Sequence, residues 1–66
     1  MESINKLAQV RKAKGLSQDR LAKLSGVSRI TISRIESGNE SPRVRTLQTL
    51  ARALKVKLTD ILEKAG

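Results

Sequence analysis

The chain has 66 residues, with 14 Lys and Arg against 6 Asp and Glu for a net charge of +8, and it contains no Cys, no His and no aromatic residue. Such a length supports one small aliphatic core. Its composition excludes disulfides and the usual soft-ligand metal sites, while the basic excess on so small a surface favours polyanionic partners.

Within the chain, residues 1–16 carry four basic groups and one acid, residues 39–57 carry five and one, and residues 58–66 carry one and two. The C-terminal segment is therefore the part least suited to facing a polyanion. Met1-Glu2-Ser3-Ile4 lacks the basic-then-apolar pattern of a signal peptide. No run approaches the ~18 apolar residues of a membrane span. The expected setting is a soluble protein of the cytoplasm, organised as a single domain over residues 1–66.

In chain order, short apolar-periodic segments broken by Gly, Ser and Pro predict an all-α fold without strand alternation. The first helix is expected from about Ser3 to Lys14, with Ile4, Leu7, Val10 and Arg11 on one face and Gly15 as its stop. Ser17 is a natural N-cap for a second helix that carries Leu21 and Ala22 and ends near Ser25. Asp19 suits the dipole of that helix, and Gly26 supplies a residue tolerant of positive φ. Ser28 caps a third helix with Ile32 and Ile35 inside, closed by Gly38. After the loop at 39–42, Pro42 lies just outside or at the start of a fourth helix, whose expected buried stripe is Val44, Leu47, Leu50, Ala51 and Leu54. Thr59 is expected to cap a short fifth helix with Leu58, Ile61 and Leu62 facing in.

The informative stretch is residues 18–37, QDRLAKLSGVSRITISRIES. Two short helices meet at a turn too tight for most side chains. Val27, Ile32 and Ile35 anchor the third helix, which leaves Arg29, Ile30, Ser33 and Arg34 on the opposite face. A helix held on one side and presented on the other is what reading a major groove requires.

The strings VRKAKGLSQDRLAKLSGVS, ISRIESG, SP and TLQTLARALKVKLTDIL follow one another in this order. Over about Leu7 to Leu62 the chain thereby resembles the phage repressor and Cro type of helix-turn-helix domain, the Xre-like group. The resemblance implies a compact five-helix domain with its motif at about 18–37. It further implies a sequence-specific, double-stranded DNA-binding transcriptional regulator of repressor type that reads the groove with the third helix. The implied assembly is a two-fold homodimer on a pseudo-palindromic operator. By position it puts Gln18 against the phosphate backbone and Ser28, Arg29, Ile30, Ser33 and Arg34 toward the groove. Arg43 falls where backbone or minor groove is contacted, and Arg11 and Glu36 fall on positions that pair across the core.

Two positions depart from the family pattern. Lys55 stands where many members have Gly, which puts the usual closure of the turn into the fifth helix in question. Arg43 stands where many have Ser or Thr, which costs the fourth helix a side-chain cap. The dimer surface is expected on the fifth helix, around Val56, Leu58, Ile61 and Leu62, where the chain is least basic.

Other functions fit less well. An antitoxin, or another protein-interaction module on the same fold, is the alternative, although such antitoxins generally need an extra segment to hold a toxin. An enzyme lacks support: there is no His, no Cys and no phosphate-cradling glycine loop, and the acids are scattered at 2, 19, 36, 40, 60 and 63. Binding of RNA or single strands usually uses aromatic platforms, and there are none. No cofactor, metal, membrane or small-molecule ligand is implied.

Overall fold

The computed structural model describes residues 5–62, which form five helices: α1 (Leu7–Ala13), α2 (Gln18–Ser25), α3 (Arg29–Ser37), α4 (Val44–Leu54) and α5 (Leu58–Ile61). Local chemistry explains most of their boundaries. The Ser17 hydroxyl accepts the Arg20 N–H at the start of α2, and the Ser28 hydroxyl accepts the Thr31 N–H at the start of α3. Each satisfies one donor that the first helical turn would otherwise leave orphaned. Gly26 and Gly38 end these helices at φ 79° and 83°, a region that costs a side chain energy but not glycine.

The core is a single aliphatic cluster. Leu7 of α1, Leu21 of α2, Ile32 and Ile35 of α3, Leu50 of α4 and Ile61 of α5 are all at 0% exposure. Helix α4 packs against α2 and α5, α2 against α3, and α1 against α3 and α5. Burying an aliphatic side chain of this size contributes roughly 1.5–3 kcal/mol. A core without aromatic residues therefore depends on nearly every one of these positions.

Several sequence expectations are corrected. Helix α1 begins at Leu7 instead of near Ser3; Ser3 and Ile4 lie outside the described residues. Asn5 takes over the start of this segment. Its side-chain oxygen accepts the Leu7 N–H (3.0 Å), its amide donates to the Ile35 carbonyl (3.0 Å), and its backbone forms an isolated antiparallel bridge with Leu62. The adjacent Lys6 N–H donates to the Ile61 carbonyl at 2.6 Å. Pairing with the end of α5 thus replaces a first helical turn.

Val44 is 61% exposed and not part of the buried stripe. Three- and four-residue spacing identifies a helix face but not how far along the helix its neighbours extend. In α5 the N-cap is Lys57 in place of Thr59, and the Asp60 carboxylate accepts the Lys57 N–H at 2.9 Å. Leu62 follows the helix at 38% exposure. Ile61, expected at a dimer surface, is wholly buried and unavailable to a second copy.

Candidate nucleic-acid interface

Helix α3 is fixed by its buried side. Ile32 and Ile35 lie in the core and Val27 packs on the core's edge. Helical periodicity then turns Arg29, Ile30 and Arg34 outward, all three exposed, with Ser33 half-buried beside them. Ile30 is 60% exposed, a large apolar side chain left in solvent on a face flanked by two Arg. This combination offers guanidinium forks and an apolar contact on one surface.

Hydrogen bonding divides these residues into two kinds. Ser28 is exposed, but its hydroxyl is turned into the helix. It accepts the Thr31 N–H at 3.1 Å and donates its own proton to Thr31 Oγ1 at 2.9 Å. Donation to a DNA group would require that second bond to open. Arg29 is paired by its Nε with Asp19 Oδ1 at 3.1 Å, with both side chains largely exposed. Arg34 and Arg43 are exposed; Arg43 is the N-cap of α4 and gives it no side-chain cap. The αL residue that follows α4 is Lys55, at φ 59°. The left-handed closure is therefore kept with a residue that bears a Cβ.

Behind α3 lies a buried polar cluster that ties the motif to α1. Arg11 Nε donates to Glu36 Oε2 at 2.6 Å and its Nη2 to Glu36 Oε1 at 3.0 Å, while Nη1 donates to the Leu16 carbonyl at 2.7 Å. The two side chains are 10% and 8% exposed. Hydrogen bonding to Glu36 raises the Arg11 pKa above its ordinary value, against the opposing effect of burial. A raised pKa on a cation means its contribution to folding is present throughout the neutral range and fades only at extreme alkaline pH.

Gln18 Nε2 donates to Glu36 Oε1 at 3.0 Å, so its half-buried amide is braced by this cluster. An amide nitrogen carries two N–H groups, so one donor remains for an anion at the start of α2.

Two residues here escaped sequence reasoning. Asn5 lies in a stretch that periodicity reads as helix, and its side-chain bond to the Ile35 carbonyl depends on α3 lying alongside. Asp19 is legible as a first-turn acid, but its pairing with Arg29 depends on how α2 and α3 cross. Among the described residues, no three His, Cys, Asp or Glu side chains gather as a metal site, and no helix is long and apolar enough to cross a membrane.

Known proteins share this fold. A family model described as helix-turn-helix matches residues 7–61. The HTH-type transcriptional repressor RghR of Bacillus subtilis is 41% identical, the alignment covering 100% of this chain and 50% of RghR. The HTH-type transcriptional regulator PuuR of Escherichia coli is 37% identical over 89% of this chain and 32% of PuuR. The chain thus spans half or less of the length of these two relatives. The crystal structure of the restriction-modification controller protein C.AhdI from Aeromonas hydrophila superposes with a TM-score of 0.80 at 36% identity, covering 83% of each chain.

Proposed function

The chain belongs to the helix-turn-helix family matched over residues 7–61, and from that premise we propose that it is a sequence-specific regulator of transcription, of repressor type, which reads double-stranded DNA with α3. One observation carries this furthest. Ile32 and Ile35, at 0% exposure, hold α3 by one side, while Arg29, Arg34 and an Ile30 left 60% exposed occupy the other. Arg can read guanine through two parallel N–H bonds, and an exposed aliphatic group suits a thymine methyl. Gln18 and Arg43 would hold phosphates on either side, positioning the helix without reading bases. Ser28 and Ser33 complete the groove-facing set, Ser28 by exchanging its bond to Thr31 for one to DNA.

A single reading helix contacts few bases, so two copies on a pseudo-palindromic operator follow. The domain measures 32 × 22 × 22 Å, too small to reach two successive major grooves alone. Val56 and Leu58, half-buried beside Gln48, Ala51 and Arg52 in a shallow groove, together with Leu62, offer the surface for a homodimer. The proposed setting is the cytoplasm, and no catalytic step is assigned.

Binding-site selection from a random duplex pool tests this. The expected result is an inverted repeat with half-sites about one helical turn apart, ~34 Å centre to centre. A pool that stays unenriched would remove the DNA-reading assignment.

A further inference from the structure

We propose that Asp19 is a positioning residue for Arg29, selecting which edge of its guanidinium faces DNA; this rests on the reading role assigned to α3 above. Asp19 is the second residue of α2 and Arg29 the first of α3, and their side chains meet across the turn, Arg29 Nε on Asp19 Oδ1 at 3.1 Å. Guanidinium carries five N–H groups in a rigid fork. With Nε committed to Asp19, the edge formed by Nη1 and Nη2 remains, and two parallel N–H groups are what guanine O6 and N7 accept. A long, flexible side chain is thereby held in one orientation before DNA arrives, so less freedom is lost on binding.

A purely local role for Asp19 makes the opposite forecast. An acid in the first turn of α2 complements that helix's dipole. It is 75% exposed, so it adds little to packing. Next to a phosphate-binding face, a carboxylate that did only this would repel DNA. Its removal would strengthen binding to every sequence. The other acids near the motif do not share its position: Glu36 is engaged inward by Arg11 and Gln18, and the Asp60 carboxylate accepts the Lys57 N–H at the start of α5. Among the described residues, Asp19 is the acid in an ion pair with a groove-facing side chain of α3, and Glu40 forms none.

The experiment compares Asp19→Ala, Arg29→Ala and the double variant on the duplex selected by the wild-type chain and on its single-base-pair changes, with melting followed for each. The expected result is that Asp19→Ala weakens binding to the selected duplex about two- to fivefold, the range of an exposed ion pair. It should relax preference at the same base pair that Arg29→Ala relaxes. The double variant should bind no worse than Arg29→Ala alone, because coupled residues are not additive. An Asp19→Ala variant that binds all duplexes more tightly, or that keeps full preference at that base pair, overturns the positioning role while leaving DNA reading by α3 intact. A wild-type chain that selects no duplex removes both together.

Discussion

At the residue scale, the cations of the proposed interface divide by what holds them. Arg29 starts α3 and is paired with Asp19, whereas Arg43 is an exposed charge at the start of α4. Arg29→Ala should cost about 1–3 kcal/mol on the selected site and relax preference at one base pair per half-site. Arg43→Ala should weaken all sequences about equally and lower the salt slope by about one unit for each phosphate no longer neutralised. Titration of both variants against operator changes separates the two roles. Glu36 differs in kind, since its carboxylate holds Arg11 and Gln18 inside the fold. Removing one partner of a buried pair leaves the other charge uncompensated. Glu36→Ala should therefore lose about 3–5 kcal/mol and melt far below wild type, measured by circular dichroism. An unchanged Tm would mean that the pair is dispensable.

At the element scale, the ends of helices hold the informative energies. Lys55 closes α4 in the left-handed region, at φ 59°. A side chain there costs roughly 1–2 kcal/mol, which glycine avoids, although glycine has more freedom to lose on folding. Lys55→Gly should thus stabilise by about 0.5–1 kcal/mol, raising Tm by a few degrees. A fall in Tm would show that the lysine gains more elsewhere than its backbone loses. At the other end of the domain, Asn5 satisfies α1's first N–H and a carbonyl of α3 at once. Asn5→Ala leaves the Leu7 N–H without its acceptor and removes one of two bonds to the Ile35 carbonyl, which Gly38 still donates to; it should cost about 1–3 kcal/mol, read as a lowered denaturant midpoint with little change in slope.

At the scale of the whole molecule, charge governs association and size governs specificity. A net charge of +8 implies that counterion release drives much of the binding. With ~5–8 phosphate contacts per dimer, log affinity should fall against log salt with a slope of about −4 to −7. A slope near zero would contradict the proposed interface. Sedimentation should find a dimer on the operator. Val56→Glu, placing a like charge on a groove residue that also packs against the core, should shift it to monomer and weaken operator binding, with melting followed to show that the fold persists. A dimer that persists would move the association surface elsewhere.

The all-α class, the five helices among the described residues and the buried side of α3 were legible in the sequence. Those features are written in near neighbours: a serine accepting an N–H three residues on, a glycine free to take positive φ, and isoleucines three residues apart that place the opposite face in solvent. The family pattern also marked Lys55 and Arg43 as departures, and their backbone conformation and missing cap show how the fold accommodates them. Where α1 begins, that Val44 and Leu62 face solvent, and that an inward-facing Ile61 is closed to a second copy all followed from the packed fold. These depend on which element lies alongside, and periodicity carries no information on that. The tertiary structure also decided how hydrogen-bonding capacity is distributed among the candidate DNA-facing residues. The Ser28 proton goes to Thr31, one Gln18 N–H goes to Glu36, and Arg29 Nε goes to Asp19. A side chain has a fixed number of donors, and how many remain for a partner is set by neighbours that are distant in sequence or reached only after the helices have packed.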